Sequence, residues 1–309
     1  MREEDFKKNF NICDEMMGDS YESKEYEVFP GISIAYYNSH TQEACFERQN
    51  EDSDVLEIFH CREGRMECSV EEEFCYISPG DLLITKSGAM TGLLYFPLRH
   101  YHGITIRIDT KKTPKCLSCF LRDVAVQPKI IEEKFCKECK YFIARSNTSV
   151  EHIFSELYAV PKEIRQGYSK IKVLELMLFL SVFDIEKYKS SNATVSVHQV
   201  SLAKSIVEFL NKKMGEKITL QQLSQKFGVS ATVIKNSFKA VYGVSFYSYI
   251  KTQKMESAAY MLEYTDKTVL EIANDHGYDN SSKFAVAFRS VKNMSPNEYR
   301  AKNSYLATY

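Results

Sequence analysis

No stretch of the 309-residue sequence is apolar for long enough to cross a membrane. The longest, Leu176 to Phe183 with one serine inside it, falls far short of the ~18 residues that a span needs. The first ten residues, MREEDFKKNF, are charged and have no apolar segment of the kind that directs secretion. Cysteine is missing from everything after Cys139, and all nine cysteines lie between Cys13 and that residue. An odd cysteine count without a secretion signal predicts reduced thiols rather than a disulfide framework. Neither sign of charge is in excess: 40 Lys and Arg stand against 41 Asp and Glu, a net charge of −1. Apolar residues at 44% and charged residues at 26% exclude a disordered chain, a collagen-like chain and a coiled-coil rod. The expectation is a soluble cytoplasmic protein with no membrane partner, and at ~100–200 residues per domain the length predicts two domains.

The near-neutral total hides two opposite halves. From His198 onward 15 basic residues stand against 9 acidic ones, or +6; the first 197 residues have 25 against 32, or −7. A basic segment of domain size points to a polyanion partner. Chance variation in surface charge is the plain alternative.

Residues from about Val28 to Asp109 read as strands. Ile32, Ile34 and Tyr36 alternate with small or polar residues, and Ile104, Ile106 and Ile108 end the region at period two. Gly64-Arg65 and Ser78-Pro79-Gly80-Asp81 have the composition of turns. Short strands punctuated by turns predict an all-β barrel or sandwich. After Thr110 the period becomes helical. Val150, Ile153, Phe154 and Leu157 share one face, and a longer helix runs from about Ile164 to Lys187. Its centre, Leu174 to Phe183, is apolar almost all round. A helix without a polar face must be covered on every side, so this one is either the spine of the first domain or a subunit interface.

Lys189–Val197, rich in Ser, Asn and Thr, reads as a linker. Seven helices are predicted beyond it: Leu202–Lys213, Leu220–Phe227, Ala231–Tyr242, Phe246–Tyr264, Val269–His276, Ser281–Lys292 and Pro296–Lys302. Gly228, Gly243 and Gly277 fall at the joins, where a left-handed cap is needed. Thr219 with Gln222 and Thr268 with Glu271 have capping-box spacing, and Ser230 and Ser295 suit N-caps.

Two segments of this region repeat one scheme. Leu223-Ser224 and Ile272-Ala273 each place a small residue after an aliphatic one. Gly228 and Gly277 follow four residues after the small one. Ile234 with Phe238, and Phe284 with Phe288, are apolar pairs four apart, followed by Lys239 and Arg289. The second copy has one extra residue in its turn. A small residue lets two helices cross closely, a glycine allows the sharp turn, and the apolar pair anchors the second helix while its other face looks outward. That is a helix-turn-helix, whose second helix can lie in a DNA major groove.

At the second copy, IANDHGYDNSSKFAVAFRSVKNMSPNEYR, the sequence resembles the signature of AraC-type (AraC/XylS) transcription regulators. Ile272, Ala273, Gly277, Tyr278, Ser282, Phe284, Phe288, Arg289, Ser295, Pro296, Tyr299 and Arg300 fall on its recognisable positions. Lys283 and Asn293 depart from it, where the family usually has an aromatic or His and a Gly. The resemblance implies a domain of ~110 residues, 198–309, with two helix-turn-helix units joined by the helix Phe246–Tyr264. It also implies that the units enter successive major grooves, ~10 bp apart, of double-stranded promoter DNA.

Helix geometry assigns the readers. With Val233, Ile234 and Phe238 expected to point inward, the first recognition helix offers Thr232, Lys235, Asn236 and Lys239. Asn236 suits adenine and Lys235 guanine, while Lys239 suits a phosphate. The second offers Ser281, Ser282, Lys283, Ala285 and Arg289, with Val286 where the family often carries a polar reader. Ala285 and Val286 can only touch thymine methyls. The first unit is therefore expected to specify more sharply, and the second to prefer A·T-rich sequence. For any single outward residue, a solvated helix face is the alternative.

A cupin-like β-barrel often precedes the DNA-binding domain in this family, and LEIFHCREGRMECSVEEEFCYISPGDLLI is loosely similar to it. The fold class expected is thus α+β: residues 1–188 as a cupin-like effector-sensing domain with a helical dimerisation segment, 189–197 as linker, and 198–309 as an all-α DNA-binding domain. By the same analogy the barrel binds a small-molecule effector, the chain is a homodimer, and RNA polymerase is a partner if the protein activates. Arg99, His100 and His102 are effector-contact candidates, or else polar groups at a strand end. The His and Glu constellation of a metal-binding cupin is missing, and no nucleophile–base arrangement is readable, so neither an enzyme nor a cofactor is expected.

Cys116-x-x-Cys119 and Cys136-x-x-Cys139 have a spacing compatible with a four-thiolate zinc site or a redox switch. They lack the Gly and Pro that usually shape zinc knuckles, so ordinary reduced thiols are the other reading. A thiol- or zinc-based sensor is the alternative function. Cys61, Cys68 and Cys75 read as small apolar residues in strands.

Overall fold

A computed structural model describes residues 10–11, 21–45, 47–48, 54–70, 73–89, 93–114, 117, 126–137, 141–145, 148–186, 194–213 and 218–303. The chain divides into two compact units, Met1–Val197 and His198–Tyr309. Among the described residues no helix is long and apolar enough to cross a membrane.

The strands of the N-terminal unit are β1 (Phe10–Asn11), β2 (Tyr21–Phe29), β3 (Ile32–Ser39), β4 (Glu43–Cys45), β5 (Glu47–Arg48), β6 (Val55–Gly64), β7 (Met66–Val70), β8 (Glu73–Ile77), β9 (Leu82–Lys86), β10 (Leu93–Tyr95), β11 (Tyr101–Asp109) and β12 (Tyr141–Ala144). Six form one antiparallel sheet in the order β12-β9-β6-β11-β3-β2, and four form a second in the order β4-β10-β7-β8; β1 pairs with β5. The period of two sorts the larger sheet. Ile32, Ile34, Leu56, Ile58, Ile104, Ile106 and Ile108 face a helical layer. Ala35, Tyr37, Phe59, Cys61, Leu83 and Tyr101 face Met66, Cys68, Cys75, Ile77 and Leu94 of the smaller sheet.

The sheets remain open and do not form a clear cupin barrel, which corrects the expectation of a cupin-like β-barrel. After the turn at Gly64, β7 pairs only with β8 and β10, so no ladder among the described residues joins the two sheets. Gly64 holds φ at +85°, and a Cβ there would fall 2.2 Å from the His100 carbonyl oxygen. The Pro79-Gly80 turn is anchored by Asp81, whose Oδ2 accepts from the Ser78 amide at 2.9 Å and from Arg145 Nη1 at 2.6 Å.

Helices α1 (Pro128–Cys136), α2 (Thr148–Ala159) and α3 (Arg165–Val182) supply that helical layer. Helix α3 has two apolar faces. Val173, Leu176, Met177 and Leu180 are buried in the core, and Lys172 is held between Glu156 and Glu175. On the opposite side, at 100° per residue, Ile164 and Ile171 are exposed and Val182 is 80% exposed, while Leu178 between them is half-buried and packs in part against the core. One face is spine, and the other looks into solvent.

The C-terminal unit consists of α4 (Val197–Asn211), α5 (Leu220–Phe227), α6 (Ala231–Tyr242), α7 (Phe246–Tyr264), α8 (Val269–Asp275), α9 (Ser281–Lys292) and α10 (Pro296–Asn303). Helix α4 starts five residues before the period that begins at Leu202, because Val200 already joins the buried face of Ala203, Ile206 and Val207. Both capping boxes are formed, at Thr219–Gln222 and Thr268–Glu271.

Candidate nucleic-acid interface

Helices α6 and α9 are built to one plan, fifty residues apart in the sequence. Each has 12 residues. The Ser230 side chain caps α6 by accepting from the Val233 amide, and Asn280 caps α9 by accepting from the Ser282 and Lys283 amides. Each ends on a left-handed residue, Gly243 at φ 75° and Asn293 at φ 58°. Asn tolerates that conformation better than any residue except Gly, so the departure at Asn293 leaves the geometry intact. The anchors also correspond: Ile234, Phe238, Phe284 and Phe288 are fully buried. The extra residue of the second copy lies in the turn, where Gly277 stands three residues before its N-cap and Gly228 two.

These anchors fix what faces outward. A residue midway between two buried residues four apart points to the far side of the helix. That position is Asn236 on α6 and Val286 on α9, with Thr232 or Ser282 one turn before and Lys239 or Arg289 just under a turn after. All six are exposed. Lys235, Ser281 and Lys283 are exposed as well, whereas Ala285 is half-buried on the flank. Arg289 lies 3.7 Å from Glu298 of α10. Val233, expected to point inward, is 39% exposed: it sits in the first turn of α6, where no neighbouring element covers it. Val286 lies on the outward face, where the sequence also puts it; Val233 is the outward valine that sequence reasoning misses.

The scaffold behind these faces is tight. Around α6, Phe238 packs edge-on to Phe246 and Tyr249 at 5.2 and 5.6 Å between ring centres. Around α9, Phe284 and Phe288 pack with Met255, Ala258, Ala259 and Leu262 of α7 and with Ile272 and Ala273 of α8. Lys254 Nζ donates to the His276 carbonyl at 2.7 Å, pinning the second turn to α7. Burial pushes the His276 imidazole below its ordinary pKa, and its Nδ1 lies 2.7 Å from the Ile272 carbonyl.

In the N-terminal unit the structure brings two of the three effector-contact candidates together: the His100 and His102 rings lie 6.4 Å apart. Arg99 is exposed, in a left-handed turn at φ 62°. His100 Nδ1 lies 3.0 Å from the Leu98 carbonyl. His102 lies 3.3 Å from Glu63, with its ring 5.1 Å from that of His40. Burial pushes the His102 pKa down; Glu63 pulls against it, and the nearby His40, His100 and Arg62 add smaller downward effects. Between the sheets lies a second polar set. Arg107 Nε is 3.2 Å from Glu57 Oε1. On the same inner face of β11, the Tyr101 hydroxyl and Thr105 Oγ1 are buried and have no hydrogen-bond partner among the described residues. The Tyr101 hydroxyl lies over Gly103, 2.5 Å from where a Cβ would stand.

Cys116, Cys119 and Cys139 lie outside the described residues, and Cys136 is buried at the end of α1. Among the described residues no group of three His, Cys, Asp or Glu side chains could hold a metal ion. Cys61, Cys68 and Cys75 are buried in the strand core, and burial pushes the Cys61 thiol well above its ordinary pKa.

Residues 223–302 match the family model described as a helix-turn-helix domain. The uncharacterized HTH-type transcriptional regulator YdiP of Escherichia coli (strain K12) is 28% identical over 153 residues, 49% of this chain and 50% of its own length. An uncharacterized HTH-type transcriptional regulator of Staphylococcus aureus (strain COL) is 25% identical over 187 residues, 57% of this chain and 25% of its own length. The chain therefore spans between a quarter and a half of these curated relatives. The C-terminal domain of AraT, a response regulator from Geobacillus stearothermophilus, has a TM-score of 0.33 and 28% identity over 33% of this chain and 86% of that one. With the paired helices, their caps and the match over 223–302 in place, the C-terminal unit carries a helix-turn-helix domain of the AraC type.

Proposed function

We propose that this chain is a sequence-specific DNA-binding transcription regulator, acting in the cytoplasm, whose α6 and α9 enter two successive major grooves on one face of the duplex. The observation that carries this reading is the correspondence of the two helices in length, caps, buried anchors and outward faces. Two such helices joined by α7 suit a site of about two turns. The +6 charge of residues 198–309 adds the attraction for phosphates that gives such binding most of its strength. Thr232, Lys235, Asn236, Lys239, Ser281, Ser282, Lys283, Ala285 and Arg289 are its proposed contacts. Genome-wide recovery of bound DNA tests the reading: an enriched motif with two blocks about 10 bp apart supports it, and no enriched motif contradicts it.

The regulator is a homodimer in this reading. The stripe Ile164, Ile171, Leu178 and Val182 on α3 repeats at seven and four residues, the spacing of a helix seam. A second copy of the same stripe is the partner that satisfies it. A small polar effector is proposed to bind between the sheets of the N-terminal unit. The buried Tyr101 and Thr105 hydroxyls and the Glu57–Arg107 pair would meet it there. Arg99, His100 and His102, around the start of the same strand, remain proposed contacts at its edge.

A further inference from the structure

We propose that Val286 recognises the C5-methyl group of a pyrimidine, so that the second half of the DNA site is read through a methyl contact rather than a hydrogen bond. This rests on the DNA-binding reading above and names what one position of that interface takes.

Val286 is 73% exposed, and it stands where Asn236 stands on the first helix. The correspondence is fixed by the caps, 230 with 280 and 243 with 293, and by the buried pairs on either side. Its place is the middle of the outward face, between Ser282 and Arg289. A helix laid in the major groove brings that position against base edges. Valine has no donor or acceptor, and an isolated exposed valine gains nothing from water. The one apolar group on the major-groove edge of unmodified DNA is the methyl of thymine. The same methyl, in the same place, is carried by 5-methylcytosine. Asn236 by contrast can pair bidentately with adenine N6 and N7. The two helices share a hydroxyl at 232 and 282 and a cation at 239 and 289; between those positions Asn236 gives way to Val286, and Lys235 to the half-buried Ala285.

A preference for A·T pairs can also arise from groove width or duplex flexibility, to which a single C5-methyl group contributes little. Removing only the methyl separates the two. The full chain is used to select its preferred duplex from a random pool, and each thymine in the half contacted by α9 is then replaced singly by deoxyuridine. One replacement should weaken binding about fourfold, the worth of one buried methyl. With Val286→Ala, whose side chain is solvent-exposed and outside the core, that replacement should change nothing. Replacing the same thymine by 5-methylcytosine, paired with guanine, should bind about fourfold better than unmethylated cytosine there. The proposal is overturned if no replacement in that half matters, or if the loss persists in Val286→Ala. If no duplex is selected at all, the DNA-binding reading itself fails, which is a different result.

Discussion

Asn236 and Val286 occupy the same place on two helices of equal length with matching caps, each standing midway between two fully buried residues. An amide that can hold adenine in one copy is replaced by a side chain that can only touch a methyl in the other.

The first half-site should therefore be read more stringently. Asn236→Ala is expected to cost ~1–3 kcal/mol and to relax base preference at one position, whereas Val286→Ala costs less than about 1 kcal/mol. Base-by-base substitution scanning of the site checks this. Equal losses of ~1–3 kcal/mol per base in both halves would sink it.

Lys239 lies at the end of the outward face of α6, where a phosphate contact is expected. Lys239→Ala should weaken binding to all sequences alike and reduce the slope of log affinity against log salt by about 1. Titrations at several salt concentrations read that slope. An unchanged slope with altered base preference would make Lys239 a base reader instead.

The exposed stripe of α3 should hold two copies together. Ile171, 61% exposed, tolerates Asp without disturbing the fold. Light scattering on purified protein should find a dimer for the parent and a monomer for Ile171→Asp, with similar thermal unfolding. A dimer that survives the substitution assigns the interface elsewhere.

How much of this could be read from sequence differs between the two units. In the C-terminal unit the signals are local: caps, glycines and buried pairs within a dozen residues, and the predicted bounds of α5, α6, α7 and α9 coincide with those observed. The N-terminal unit depends on which strand pairs with which. The alternation of Ile104, Ile106 and Ile108 marks a strand but cannot say that β11 lies between β6 and β3, or that the sheets stay open. Nor does the apolar stretch of α3 say which side faces water. Val233 is apolar and yet exposed, because buried side chains are mostly apolar while apolar ones need not be buried. The Tyr101 and Thr105 hydroxyls emerge only once burial and partners are known, since both residues are unremarkable as strand formers.

A buried hydroxyl without a partner destabilises a fold. Thr105→Val keeps the shape and removes the hydroxyl, so the variant is expected to be ~1 kcal/mol more stable in denaturant titrations. Lower stability would mean that Thr105 has a partner after all.

His60 gives the N-terminal unit a dependence on pH. It is buried, its ring stacks on Phe154 at 4.2 Å, and its Nδ1 lies 3.4 Å from the Tyr158 hydroxyl. Burial lowers its pKa to about 4, against a smaller opposing effect of Glu151. Between pH 4 and about 6.5 the unfolded chain binds a proton at this residue that the folded one does not. Stability should therefore fall as pH drops through that window, by up to about 3 kcal/mol from this residue. His60→Phe, which preserves the stack, should flatten the pH profile of thermal unfolding. An unaltered profile would place the effect on other groups.

The account rests most heavily on two helices of one chain reading two grooves. Chemical interference footprinting of the full chain on its selected duplex measures this directly. Two clusters of major-groove contacts about 10 bp apart on one face are predicted, with one contact of the first lost in Asn236→Ala and one of the second altered in Val286→Ala. A single cluster, or protection that does not depend on sequence, would contradict it.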